Sequence, residues 1–151
     1  MLGNNGKRWL FASAIVIALA FPSAALAVRY LGSLDNGNND AGIEIDFKLG
    51  ARGAPKEVTQ VEWHNVTPFV SCESSDHFYK VMRVKNHVFK GSGHPGEVGN
   101  PDWPRNPNVI ETIKGTFKHQ NKKIVGTLRL QGAPGTHCAG IDTGKMPFVA
   151  K

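Results

Sequence analysis

The feature that most constrains this chain is the strict alternation of apolar and charged side chains over Ile43-Glu-Ile-Asp-Phe-Lys-Leu49. Successive side chains of a β-strand point to opposite faces, so a period of two predicts a strand with one buried face. Beyond residue 27, no window of twelve residues shows the spacing of an amphipathic helix. The sequence therefore predicts an all-β fold: a single antiparallel β-sandwich or barrel-like domain of about seven to eight short strands. The remaining strand candidates are 58–66, 78–84, 88–92, 109–118, 123–130 and 146–150.

The hairpin formed by the segments 109–118 and 123–130 can be given a register. One alignment makes one face wholly apolar or small, and a slip of one residue would mix the two faces. The alignment also sets Lys118 opposite Lys123, where like charges repel by a few tenths of a kcal/mol. The predicted pairs on the apolar face are Phe117 with Ile124, Gly115 with Gly126, and Ile113 with Leu128.

Positive charge collects on the other face of this hairpin, which carries Lys114, Lys118, Lys123 and Arg129. Residues 28–79 hold four Lys or Arg against eight Asp or Glu, whereas residues 80–151 hold twelve against four. A basic surface predicts an anionic partner, such as a cell-surface polymer or an acidic glycan. The absence of interleaved aromatic residues argues against single-stranded nucleic acid, so no nucleic-acid partner is expected. The alternatives are that the basic half is a solubilising surface, and that the lysines protect a sheet edge against strand-to-strand association.

The first 27 residues have the pattern of a cleaved export signal. Lys7 and Arg8 precede an apolar stretch, and Ala25-Leu26-Ala27 matches a signal-peptidase site. The stretch is shorter than the roughly 20 residues that span a bilayer, so no transmembrane span is expected in the mature protein. We expect a secreted, extracellular chain with a flexible leader at 28–42, rich in Asn, Asp and Gly, and one β domain at 43–151.

Cys72 and Cys138 are the only two cysteines of the chain. An exported protein meets an oxidising compartment, where an even cysteine count predicts pairing. A bridge between them would close a loop of roughly 65 residues and stabilise the fold by about 4 kcal/mol in the chain-entropy model. The sequence therefore predicts a structural disulfide.

The order of these elements resembles that of a group of small secreted bacterial proteins of unassigned function, made of a signal peptide and one β domain. The resemblance covers most of 43–151 and implies an all-β fold with paired cysteines, but no active site. It is carried by Pro55-x-x-Val58-x-x-Val61-x-Trp63-x-Asn65-Val66, a first cysteine, Phe89-x-Gly91, Ile113-x-Gly115-x-Phe117, Gly126-Thr127-Leu128, Cys138-x-Gly140 and Phe148-x-Ala150.

The segment 91–108 is predicted to be a long loop. Four prolines and four glycines prevent it from pairing inside a sheet, and loops of this length are often functional. Trp103 between Asp102 and Arg105 could stack on a sugar ring while the charged pair hydrogen-bonds its hydroxyls, and His94 lies in the same loop. The alternative is a surface loop in which Trp103 folds back onto the sheet.

Six histidines raise the question of a metal site, although no two have the close spacing typical of zinc ligands. His77 and His137 flank the two cysteines, so a disulfide would draw them together. With Asp76 or Glu73 they form the best metal or acid–base candidate that the sequence offers. No cofactor is otherwise predicted.

No nucleophile or metalloprotease motif occurs, and 151 residues are too few for a two-domain dinucleotide enzyme or a TIM barrel. The sequence favours a secreted, non-catalytic β module that binds a glycan or anionic polymer. The alternatives are a structural or interaction protein of the cell surface, and a small extracellular enzyme or metal-binding protein.

Overall fold

A computed structural model describes residues 27–35, 41–66, 72, 77–97, 99, 101–102 and 104–151. The described chain is built of antiparallel strands, with one short 3₁₀ turn at Ala51–Gly53. None of its helical segments is long and apolar enough to cross a membrane. The strands are β1 (Ala27–Leu34), β2 (Gly42–Leu49), β3 (Pro55–His64), β4 (His77–Phe78), β5 (Met82–Arg83), β6 (Val88–Gly93), β7 (Val109–Lys118), β8 (Lys123–Gly132) and β9 (Met146–Ala150).

All nine strands belong to one sheet in the order β4-β3-β2-β1-β9-β8-β7-β6, and β5 pairs beside β4 on β3. The sheet curls into a half-barrel, because β5 and β6 lie at its opposite ends and yet are joined by a tight turn. In that turn Lys85 and Val88 exchange two backbone hydrogen bonds of 2.9 Å. The prediction of an all-β antiparallel fold is confirmed, whereas a two-sheet sandwich is not; the structure has one curled sheet.

The core lies on the inner face of the curl, where side chains of every second residue meet. On β2 the burial pattern follows the sequence alternation, with Ile43, Ile45 and Phe47 buried. A row of aromatic rings continues across the interior from Phe47, which contacts Tyr30 and Phe117 at centroid distances of 5.0 and 4.9 Å. Edge-to-face ring pairs of this kind add to the free energy gained by burying their area.

The predicted β7–β8 register is confirmed. As expected, Phe117 pairs with Ile124, Gly115 with Gly126 and Lys118 with Lys123. The glycine at 115 is required by packing: a Cβ atom there would lie 2.3 Å from Cζ of Phe89. The predicted bounds 109–118 and 146–150 match β7 and β9, and β8 extends two residues further than predicted.

The predicted flexible leader at 28–42 is wrong for its first part. Residues 27–34 form β1, which pairs with β2 on one side and with β9 on the other, and so lies inside the sheet. Its inner residues Val28, Tyr30 and Leu34 pack on the core. The Asn-rich part of the predicted leader, at 36–40, lies outside the described residues. The predicted export signal also lies outside them, up to residue 26.

The predicted strand 78–84 is divided into β4 and β5. Both short strands pair with β3, through Val61 with Phe78 and Val58 with Met82. Residues 79–81 between them are not strand, which separates the two segments. This division and the additional strand β1 raise the strand count to nine, above the number that the sequence suggested.

Candidate functional site: a lysine face and the disulfide end of the sheet

The outer face of β6, β7 and β8 carries a regular array of cations and hydroxyls, here called the lysine face. Its four lysines form two cross-strand pairs, Lys90 with Lys114 and Lys118 with Lys123. The pairs are four residues apart along β7, or about 13 Å at the rise of an antiparallel strand. Hydroxyl groups occupy the outer positions around them. These belong to Ser92, Thr112, Thr116 and Thr127.

The four lysines have no carboxylate within ion-pair distance in the described part of the chain. Lys90, Lys114 and Lys118 are exposed, and Lys123 is half-buried. Like charges directly opposite each other destabilise a ladder. The lysine face therefore keeps its charge at a small cost to the stability of the fold.

Arg129 also lies on this outer face, but its charge is neutralised. Its Nε donates to Oδ1 of Asp142 at 2.9 Å, and a second guanidinium nitrogen bonds the other carboxylate oxygen. These hydrogen bonds lower the pKa of Asp142 to about 2, helped by the backbone amide of Gly144. Of the predicted basic residues, Lys114, Lys118 and Lys123 belong to the lysine face, and the structure adds Lys90. Arg129 is already paired with a carboxylate of the chain.

The outer face of β1, β2 and β3, here called the acidic face, is arranged differently. The guanidinium group of Arg29 makes a fork to Asp46, with bonds of 2.7 and 2.8 Å, and reaches Glu44 at 3.0 Å. The hydrogen bond to Asp46 raises the pKa of Arg29 above its ordinary value. Lys48 lies 3.4 Å from Glu57 on the neighbouring strand. These carboxylates are thus matched by cations from within the same face.

Two histidines complete the acidic face. Nε2 of His64 lies 3.5 Å from Glu44, and its Nδ1 lies 3.8 Å from Glu62. Nε2 of His77 lies 2.9 Å from Oε2 of Glu62, and its ring stacks on Tyr79 at a centroid distance of 5.5 Å. His77, predicted as a metal or acid–base residue, is therefore the partner of a carboxylate on this face.

The loop 91–108 is held against the sheet by hydrogen bonds. Its first residues extend β6 to Gly93, and Nδ1 of His94 contacts the carbonyl of Val109 at 2.7 Å. The amide of Gly96 donates to the carbonyl of His77 at 2.6 Å, and that of Asn106 donates to the carbonyl of Pro95 at 2.9 Å. The segment is thus a tethered surface loop in its described part.

The predicted sugar-binding residues of this loop are placed only in part. Asp102 and Arg105 are exposed, and Trp103 lies outside the described residues. The proposed stacking of a sugar on Trp103 stays a prediction. His94 is half-buried and bonded to the backbone, which makes it a residue that fastens the loop.

The predicted disulfide between Cys72 and Cys138 is confirmed, with the two Cα atoms 5.9 Å apart. It joins the segment between β3 and β4 to the segment between β8 and β9. Ligand atoms of Cys72, Cys138 and His137 all lie within 4.8 Å of one another. Asp76, the third member of the predicted set with His77 and His137, lies outside the described residues, so that set stays a prediction.

Glu111 is a buried carboxyl group on the inner face of β7. Its side chain is fully buried, and Oε2 accepts a hydrogen bond of 3.0 Å from the indole N–H of Trp63 on β3. Oε1 has no hydrogen-bond partner among the described residues. Removal from water raises the pKa of Glu111 to about 8, an effect that the Trp63 bond only partly offsets. The carboxyl group is therefore mostly protonated at neutral pH.

Comparison with known proteins is negative. No family model, no curated protein and no solved structure matches this chain.

Sequence reasoning missed Glu111. It also missed the difference between the two faces, since the carboxylates of the acidic face are paired with cations and the four lysines of the lysine face are not. A signal for Glu111 was present, because the hairpin register sets it on the same side of β7 as Val109 and Ile113. A carboxylate at an inward position of a strand is itself unusual. Its partner Trp63 is 48 residues away in sequence, and no local pattern connects the two.

Proposed function

We propose that this chain is an exported, non-catalytic β module that binds an anionic polymer or acidic glycan through the lysine face. The observation that carries the proposal is the set of four lysines, paired with each other across strands, without a carboxylate partner in the described chain. Thr116 and Thr127 lie beside the lysines on the outer face, and their hydroxyl groups can donate to the same ligand oxygens. This is the arrangement that a phosphate- or carboxylate-bearing polymer requires: several weak charge contacts spread along its length.

Edge protection explains the lysines less well. Of the three strands that carry them, only β6 lies at the end of the sheet order, while β7 and β8 are paired on both sides. An interior strand has no free backbone edge to protect. Edge protection therefore does not account for Lys114, Lys118 and Lys123, whereas a ligand at the outer face does.

The two lysine pairs also suggest how a ligand lies. The pairs are about 13 Å apart along the strands, and the side chains of Thr116 and Val125 lie between them on the outer face. A chain polymer that follows β7 can place anionic groups on both pairs at once. A single small anion contacts one pair only and should bind far more weakly, because it loses the gain from linked sites.

The test is a binding measurement with inorganic polyphosphate and with polygalacturonate, at several salt concentrations. Affinity should fall as salt rises, by somewhat less than one power of the salt concentration for each lysine contact. The double variant Lys114→Gln/Lys118→Gln should weaken binding at least tenfold and lower the salt slope.

The matched control is Lys48→Gln/Lys56→Gln, which makes the same change in net charge on β2 and β3. This control should bind within about twofold of the unaltered protein, since non-specific attraction to net charge is a small, screened effect. Equal losses in the two double variants would show that binding follows total charge, and would refute the lysine face as the site. Binding that is insensitive to salt would refute it as well.

A further inference from the structure

The cluster of Cys72, His137 and Cys138 is independent of the lysine face and has a chemistry of its own. Two sulfurs and one imidazole nitrogen lie within 4.8 Å of one another. Both cysteines are buried, whereas His137 is exposed. The cluster thus lies just below the surface, with the imidazole on its solvent side.

The backbone that carries these residues is held by contacts other than the disulfide. The carbonyl of Cys138 accepts a hydrogen bond of 3.2 Å from the amide of Ile141 and packs on Gly132, where a Cβ atom would lie 1.6 Å from that carbonyl oxygen. The amide of Gly132 in turn donates to the carbonyl of Ile141 at 2.9 Å. The segment around Cys138 should therefore keep its position when the disulfide is opened.

The other cysteine has a similar tether. The carbonyl of Cys72 accepts a hydrogen bond of 3.4 Å from the side chain of Asn106, a residue that is itself buried. Asn106 also receives the amide of Asn108 on its side-chain oxygen at 2.8 Å. The two sulfurs should thus stay close together in the reduced protein.

We propose that Cys72, Cys138 and His137 form a binding site for a thiophilic d¹⁰ cation, Zn²⁺ or Cu⁺, when the disulfide is reduced. Thiolate and imidazole are the ligands that these ions prefer. Two sulfurs bound to one zinc ion at about 2.3 Å each lie about 3.8 Å apart. The ligand atoms are already within 4.8 Å of one another, so the site forms by a small separation of the two sulfurs. Three protein ligands leave one position of a tetrahedral ion for water or another ligand.

Metal binding requires that the disulfide is reduced first. A dithiol reductant gives two electrons and two protons to the Cys72–Cys138 bond; the bond breaks to two thiols, and the dithiol becomes a disulfide. The metal ion then displaces both thiol protons and binds the two thiolates and the neutral imidazole. Because the same sulfurs serve in both states, the oxidised protein cannot hold the ion. The cluster therefore couples metal binding to the thiol–disulfide balance of its surroundings.

The test uses the full chain, reduced with a phosphine and kept free of oxygen, with Co²⁺ as a spectroscopic probe. We expect one Co²⁺ per chain and a thiolate-to-cobalt charge-transfer band, both absent from the oxidised protein. Displacement of Co²⁺ by Zn²⁺, and competition for Cu⁺ with a chromophoric chelator, then identify the preferred ion.

His137→Ala is the decisive variant, because an exposed side chain can be removed without disturbing the core. It should weaken Co²⁺ binding at least tenfold and shift the charge-transfer spectrum. The matched control is His119→Ala, an exposed histidine in the β7–β8 turn, which should bind as the unaltered protein does. Equal binding by the His137 variant, or by the oxidised protein, would overturn the proposal. Loss of the strand circular-dichroism signal on reduction, if the metal does not restore it, would overturn it too.

Discussion

The acidic face and the lysine face are built from the same elements, antiparallel strands with polar residues at every second position, but they treat charge in opposite ways. On the acidic face each carboxylate of β2 and β3 lies within ion-pair distance of a cation or a histidine. On the lysine face cations stand opposite cations. A sheet of this kind can therefore pair its surface charges, as it also does for Arg129 on β8, whereas the four lysines of β6–β8 have no carboxylate partner among the described residues.

The charges of the acidic face therefore stabilise the fold, whereas those of the lysine face slightly destabilise it. Paired charges contribute up to about 1 kcal/mol each at an exposed site, and like charges across a ladder cost a few tenths. Replacing one lysine of each pair by a neutral residue would remove that cost. We interpret the retained repulsion as the cost of keeping a surface ready for an anionic ligand.

Changes at two contacts between residues far apart in the chain should give the largest effects on stability. The first is the disulfide. The double variant Cys72→Ser/Cys138→Ser should lower the free energy of unfolding by about 4 kcal/mol, because the bridge closes a loop of about 66 residues in the unfolded chain. Urea unfolding measures the change, and the unaltered protein unfolded with reductant should reproduce it.

If the folded double variant still binds polyphosphate with unchanged affinity, the lysine face does not depend on the disulfide. A loss of stability below about 1 kcal/mol would show that the two segments are held mainly by their other contacts.

The second contact is the buried pair Trp63–Glu111, where removal of the Glu111 carboxyl from water should make stability depend on pH. The pKa of Glu111 is raised from 4.5 to about 8 in the folded protein. Below pH 4.5 the group is protonated in both states, and its contribution to stability is complete. As the pH rises towards 8, only the unfolded state releases the proton, so stability falls by about 1.4 kcal/mol per pH unit.

Glu111→Gln keeps a hydrogen-bond acceptor for Trp63 and removes the titration. Its advantage over the unaltered protein should grow from pH 4 upwards and reach about 3 kcal/mol at pH 7. Urea unfolding at a series of pH values measures it, with the exposed neighbour Thr112→Gln as a control that changes no ionisable group. A stability difference that stays constant with pH would contradict the assignment.

A smaller effect is expected on the acidic face. Arg29→Gln removes the fork to Asp46 and the bond to Glu44, and should lower the free energy of unfolding by at most about 1 kcal/mol, since the group is half exposed. The loss should shrink at high salt, where the ion pairs are screened. Thermal unfolding in low and high salt tests it, and a stabilising effect of the variant would be the opposite of what paired charges predict.

The smallest effect, and the one of opposite sign, is expected on the lysine face. Lys114→Gln should raise the free energy of unfolding by a few tenths of a kcal/mol, because it relieves the repulsion from Lys90. The same variant should weaken polymer binding. A rise in stability together with a loss of affinity would show that the lysine pairs cost stability and serve binding. A lower stability of Lys114→Gln would show that the lysine pairs do not destabilise the fold.

Local pattern predicted much of the fold. The β7–β8 register followed from matching apolar and glycine positions, and the structure has the same pairs. The strand β1 was missed because Leu31, at an outer position between Arg29 and Ser33, interrupts the polar alternation of the kind that identified β2. Its place inside the sheet depends on pairing with β9, more than a hundred residues away.

Part of the candidate site could also be predicted from the sequence, and part could not. Lys114, Lys118 and Lys123 could be placed on one face from their spacing alone, and the cysteine pairing followed from an even count. Lys90 joined them only through the pairing of β6 with β7. Arg129 was removed from the free cations by Asp142, which lies beyond the strand.

The local pattern predicted which residues of β2 and of the β7–β8 hairpin face inward, apart from Glu111, because the period of a strand is a local property of the backbone. Which outward charges find partners, and which inward groups contact each other, depends on the tertiary structure. Arg29 with Asp46, Trp63 with Glu111, and His137 beside Cys72 join residues far apart in the chain. Such contacts depend on strand order and curl, and these are set by the packing of the whole sheet.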